Sequence, residues 1–167
     1  MTPPAVVPPI GDEEGETAGD ETAPESAPEQ ENEPSATTGG DGSEITLLQV
    51  TSADVAELQG EIGCAFATGD STSLLVARAN VGDDERASAA INHNGYGERL
   101  MSQEAGGFGA LESDGGKFGG RGLTITITPG ERAPGDGTET VTQSAEMLVQ
   151  RADGAERTYE GEWICGP

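Results

Sequence analysis

The chain is short of nearly everything that catalysis uses. It has one histidine, two cysteines, a single lysine and only six aromatic residues among 167. General acid–base chemistry by histidine needs an orienting carboxylate and a nucleophile nearby, and His93 stands alone beside a predicted Asn94-Gly95 turn. No Gly-x-Ser-x-Gly elbow occurs. A zinc site needs more Cys or His than the chain holds. No EF-hand loop with alternating aspartates is present, and the Gly-Gly-Phe-Gly-Ala-Leu of residues 106–111 lacks the aspartate of a calcium β-roll repeat. Lys117 follows two glycines without the spacing or the Ser/Thr of a phosphate loop. Carboxylates recur as Asp83-Asp84-Glu85, Glu112 with Asp114, and Glu160 with Glu162. The last two alternate on a strand face opposite Tyr159 and Trp163, as solvent-facing residues do. The chain is therefore expected not to be an enzyme, and to hold neither metal nor cofactor.

Positive charge is equally scarce. Eight Lys and Arg face 31 Asp and Glu, for a formal charge of −23. Nucleic acid is excluded as a partner because phosphate recognition requires basic patches. Long apolar runs are missing too, and nothing approaches the roughly 20 residues of a membrane-spanning helix.

What the chain does have is two well-placed cysteines. Cys64 and Cys165 bracket almost all the foldable sequence. They read as one disulfide tying the first core strand to the last, which implies an oxidising compartment. The alternative is a pair of buried free thiols, since reduced cysteine packs as a small hydrophobe.

Composition divides the chain at about Ser43. Residues 1–44 carry seven of the ten prolines, twelve acidic residues, and no Lys, Arg or aromatic residue. Such a stretch cannot bury enough apolar surface to offset the entropy of ordering it, so it reads as a disordered acidic linker. Residues 45–167 form the predicted domain, with eight basic against nineteen acidic residues. Met1 leads into Thr-Pro-Pro without a basic start or an apolar stretch. The disulfide and a Pro/Glu/Ser/Thr spacer are reconciled with this if a signal or lipid-anchoring segment precedes Met1, the arrangement of a periplasmic, outer-membrane-anchored or extracellular protein.

Within 45–167 the pattern is β throughout. Ile45–Val50 is β-prone, and a short helical turn follows over Thr51–Leu58, with Ser52 as its N-cap. Ile62–Ala67, Ser73–Ala79, Ala87–Asn92, Gly97–Met101, Leu123–Thr128, Thr138–Arg151 and Arg157–Cys165 are predicted strands. Pro129–Gly137 reads as a loop. The turns between them are Gly- and Asp-rich, and Asn94-Gly95 is a strong hairpin signal. About eight or nine short strands argue for a small antiparallel barrel or sandwich. Tyr159, Trp163 and Cys165 fall on one face, placing the disulfide under the tryptophan.

Residues 105–122 hold eight glycines in eighteen positions. One reading is a bulged hairpin with Phe108, Leu111 and Phe118 facing the core. The other is a protruding loop that enters a partner, presenting Gly106, Gly107, Phe108, Ser113, Lys117 and Arg121. The order of Cys64, a Leu/Val strand, Glu98-Arg99-Leu100, Gly106-Gly107-Phe108-Gly109-Ala110 and Trp163-x-Cys165 resembles the periplasmic inhibitors of C-type lysozyme over roughly residues 60–167. It is also similar to uncharacterised secreted or lipid-anchored bacterial envelope proteins. The inhibitor resemblance implies a disulfide-closed barrel, a basic protein such as a lysozyme as partner, and a loop that enters its cleft. The family's Ser-Gly-x-x-Tyr is matched here by Ala105–Phe108, without the serine or the tyrosine. The expected function is that of a non-enzymatic envelope domain binding a protein partner. The alternative is a spacer-borne structural domain without a specific ligand, and a hydrolase using paired carboxylates is the more remote third reading.

Overall fold

The computed structural model describes residues 35–82, 84–134 and 139–167. A strand of two residues, β1 (Leu47–Leu48), precedes a four-residue helix, α1 (Ser52–Val55). Thr51, not Ser52, caps α1. Its side chain accepts from the Asp54 amide while Asp54 accepts from the Thr51 amide, a reciprocal capping box. Eight strands follow: β2 (Ile62–Ala67), β3 (Ser73–Ala79), β4 (Ser88–His93), β5 (Tyr96–Ser102), β6 (Gly116–Gly119), β7 (Leu123–Arg132), β8 (Val141–Arg151) and β9 (Glu156–Gly166). A second helix, α2 (Gly107–Asp114), lies between β5 and β6.

Each of the eight strands pairs antiparallel with the next in sequence, and β9 pairs back onto β2. The result is a closed up-and-down barrel. β1 stays outside the ring and pairs with the last residues of β4, beyond the reach of β3. Asn94 and Gly95 adopt φ of 55° and 91°, the left-handed pair of the two-residue turn expected there. β7 runs on past Pro129, where a loop was expected from the proline. Proline cannot donate to the ladder, so the register shifts between Pro129 and Arg132. The Ser144 hydroxyl takes up the Glu131 amide at 3.0 Å across that shift.

Alternation fills the barrel. Phe66, Leu75, Ala77, Ala89, Ile91, Leu100, Phe118, Ile125, Met147, Val149 and Trp163 are fully buried. An eight-stranded ring is just wide enough for side chains to occupy. Cys64 and Cys165 face each other directly across the β2–β9 ladder. They are bonded, with Cα atoms 4.0 Å apart, one ladder step from the Phe66–Trp163 pair. Gly161 is required at this seam, because a Cβ there would collide with the Ala67 carbonyl.

The fold begins earlier than composition suggests. Residues 35–44, assigned by their charge and threonines to the arm, lie along the barrel. The Ser35 amide donates to the Thr158 carbonyl at 3.0 Å, and Thr38 bridges Glu156. Polar side chains hold this strap without burying much apolar surface, which is why hydropathy misses it. The expectation of a disordered linker over residues 1–34 lies outside the described residues.

Candidate functional site

The barrel has two ends, each stoppered by a different segment. At the end away from the Asn94-Gly95 turn, α2 seats Leu111 in the core, with Phe108 packed partly against it. The Trp163 indole donates to the Leu111 carbonyl at 2.9 Å, and the buried Gln143 amide donates to the Glu112 carbonyl at 2.8 Å. Thus the carbonyls of the last helical turn are satisfied from inside the barrel. Its first amides are satisfied as well: Gly106 and Gly107 donate to the Glu85 carbonyl, and Phe108 to that of Asn80.

Residues 105–122 therefore form a helix and a strand packed on the barrel, and no protruding loop. Helix α2 takes the place of the expected hairpin, although Phe108, Leu111 and Phe118 do turn to the core. The sequence signal failed because glycine is a poor helix former, while here it serves close approach. Gly107 has φ of 58°, and a Cβ on it would run into the Gly82 carbonyl. Among the predicted binding residues, Gly106 and Gly107 start α2, and Ser113 folds its hydroxyl back onto the Gly109 carbonyl at 2.9 Å. Lys117 lies exposed on the outer face of β6, and Arg121 on the turn after it. The three thus sit on three different elements, α2, β6 and the turn after it.

At the turn end, the strap covers the mouth with Ile45. The Arg157 guanidinium donates to the Ile45 carbonyl at 2.5 Å and the Tyr159 hydroxyl to the same oxygen at 3.3 Å. Arg157 also stacks 5.2 Å from the Tyr159 ring centre and pairs with Glu44 at 3.4 Å. Burial pushes the Tyr159 phenol above its ordinary range. Farther out, the Arg151 guanidinium reaches Asp153 and Asp41, each at 2.8 Å. These carboxyls sit below the usual carboxylate range: Asp153 chiefly through Arg151, and Asp41 chiefly through the Ser43 hydroxyl and amide.

His93 does have a carboxylate partner, which the sequence reading missed. Its Nδ1 lies 3.4 Å from Glu98 Oε1. The Asn-Gly turn sets His93 opposite Tyr96, so Glu98 becomes its diagonal neighbour on the same face. The signal was in that register. The second Glu98 oxygen is buried and has no hydrogen-bond partner among the described residues.

On the outer wall, Glu146 faces Glu160 across the ladder and Glu162 lies one alternate position on. The three flank an open groove of about 560 Å³ between β7, β8 and β9. Among the described residues no group of three or more His, Cys, Asp or Glu is placed to hold a metal, and Asp83 of the Asp83-Asp84-Glu85 run lies outside them. Nor is any described helix long and apolar enough to cross a membrane. The disulfide fits an oxidising, non-cytoplasmic setting. No protein-family model, curated protein or solved structure matches the chain.

Proposed function

We propose that this chain is a non-enzymatic barrel module of the bacterial cell envelope, periplasmic, outer-membrane-anchored or extracellular, that binds a basic protein through its outer surface. The observation that carries the reading is the filled interior. With Trp163, Phe66 and Phe118 wholly buried and α2 and the strap over the mouths, there is no room for a small ligand inside. Lipocalin-like barrels carry ligands only because their interiors stay open. Recognition then falls to the outside, and residues 45–167 carry nineteen acidic against eight basic residues. An opposite field on the partner speeds encounter 10- to 1,000-fold at low salt.

A cleft-entering loop draws no support from residues 105–122, which are spent on plugging the barrel. The test is titration of the oxidised full chain against a C-type lysozyme at about 0.15 M salt, where the Debye length is about 8 Å. Saturable binding is expected. It should survive Lys117→Ala combined with Arg121→Ala, because the acidic outer surface and not these two cations supplies the attraction. Loss of binding in that double variant would restore the loop as the contact. Absence of binding at micromolar concentration would leave the spacer-borne structural domain in front.

A further inference from the structure

The barrel is closed by a seam that is only half zipped. β5 pairs with β4 along Tyr96–Met101, but with β6 only at Met101 and Ser102. After Gly119 the chain turns away, with the Gly120 amide donating to the Leu123 carbonyl at 3.0 Å. Continuing the ladder would bring Arg121 beside Arg99, two like charges that disfavour pairing. The first half of β5 therefore has no strand on that side among the described residues.

Register decides which groups are left over. A two-residue turn makes its flanking residues, His93 and Tyr96, a hydrogen-bonded pair. The alternation then points the amide and carbonyl of Tyr96, Glu98 and Leu100 toward β4. Those of Gly97 and Arg99 point the other way. Gly120 lies against the Arg99 carbonyl, where a Cβ on it would come within 3.1 Å of that oxygen, so the groups left facing the gap are those of Gly97 and the Arg99 amide. The Gln103 amide donating to the Lys117 carbonyl at 2.8 Å is in phase with this assignment, four residues along from Arg99.

The side chains around the gap are selective. Glu98 is 25% exposed, its Oε2 has no hydrogen-bond partner among the described residues, and its side chain shares the inner face with His93. On the outer face, Asp54 hangs over Gly97, where a Cβ would strike its Oδ1. That oxygen is the one free of the Thr51 and Asn92 hydrogen bonds, which go to Oδ2. Tyr96 stands 76% exposed at the entrance. A second copy pairing antiparallel about Glu98 would set two Glu98 carboxylates side by side, which is repulsive. A cationic side chain in the same place would meet the quarter of the Glu98 side chain that is exposed, and Tyr96 offers it a ring face.

We propose that the edge Tyr96–Arg99 takes up a short, extended, basic segment of a partner protein by strand addition. Main-chain bonds to both groups of Gly97 and to the Arg99 amide would supply affinity, and Glu98 would select a Lys or Arg. The inference rests on the module reading above and gives it a contact surface.

The probe is an alternating Lys-Val peptide of about eight residues, a common strand length, titrated into the oxidised full chain. Proton–nitrogen NMR should first find the Gly97 and Arg99 amides exchanging fast while those of Tyr96, Glu98 and Leu100 are protected. On binding, Gly97 and Arg99 should gain protection. Arg99→Pro removes one outward donor at an edge position that tolerates proline, and it should weaken binding about tenfold relative to Arg99→Ala. Glu98→Gln should weaken it comparably and flatten its salt dependence. The proposal fails if Gly97 and Arg99 are protected in the free chain, which would mean the chain's own residues 1–34 occupy the edge. It also fails if the peptide shifts only Glu146, Glu160 and Glu162, or does not bind. Lysozyme binding that is indifferent to Arg99→Pro would overturn this edge and leave the module reading standing.

Discussion

Removing the disulfide should cost this domain a large part of its stability, and the cost should have a diagnostic pattern. Cys64 and Cys165 are 101 residues apart in sequence. Chain-entropy arguments assign a crosslink of that span about 4.7 kcal/mol, through restriction of the unfolded chain. Both sulfurs are buried, at 3% and 0% residue exposure, so Cys64→Ala with Cys165→Ala adds about 1 kcal/mol for lost packing. A loss of about 6 kcal/mol is comparable with the whole stability of many domains, about 5–15 kcal/mol. Either single variant already breaks the bond, so each should lose most of what the double loses, and the two effects should not add. Guanidinium unfolding followed by fluorescence reads this directly, since Trp163 is the only tryptophan and is fully buried. A double variant within about 1.5 kcal/mol of wild type, or single variants summing to the double, would refute the reasoning. It would mean that the β2–β9 ladder closes the barrel unaided.

Three further outcomes are expected. Trp163→Phe removes one of the two hydrogen bonds to the Leu111 carbonyl, the Gly115 amide keeping the other, and should cost about 1 kcal/mol for that bond, with faster amide exchange concentrated in residues 107–114. Gly161→Ala forces a Cβ into the Ala67 carbonyl and should cost about 2 kcal/mol or more by denaturant melts; a neutral result would mean β2 and β9 slide apart freely. Asp41 and Asp153 have folded-state pKa values below the ordinary one, so their contribution is fully present above the usual aspartate value of about 3.9 and fades as pH falls below it. Limited proteolysis should find the strap 35–44 cut progressively faster as pH is lowered from about 4 to about 2 while the barrel core stays intact, and a rate unchanged across that range would contradict this.

The barrel was legible because its strands obey the simplest rule available. Ile62–Ala67 alternates, Ser73–Ala79 carries the apolar run Leu74-Leu75-Val76, both end at Gly/Asp turns, and their bounds coincide with β2 and β3. Asn94-Gly95 announced its hairpin, and the cysteine pair announced the closing ladder. The plugs were less visible, for opposite reasons. Helix α2 hides behind glycines that lower helix propensity but permit the approach of Gly107 to the Gly82 carbonyl. The strap hides behind Asp41 and Glu44, whose contacts with Arg151 and Arg157 span more than a hundred residues of sequence. Neither local propensity nor periodicity carries that information. Lys117 and Arg121 were candidates because cations are rare here, whereas rarity says nothing of convergence. The gap beside β5 was hidden too, since it depends on where β6 stops and not on what β5 contains.

Two outer surfaces remain open to a basic partner, and their physics differs enough to rank them. The Glu146–Glu160–Glu162 face offers charge alone, spread over a solvent-exposed wall. Attraction of that kind is screened within about 8 Å at physiological salt, and exposed pairs contribute about 1 kcal/mol at most. It can steer a partner but cannot fix its register. The β5 edge offers outward main-chain groups on two alternate residues, held rigid by the β4 ladder, with a carboxylate oxygen already desolvated beside them. Hydrogen bonds there set direction and spacing, and they do not weaken with salt as surface charge does. Binding dominated by the acidic face should therefore fall steeply between low and physiological salt. Binding at the edge should keep most of its strength while its association rate drops. The two faces lie on different strands, so one partner can be steered by the first and held by the second.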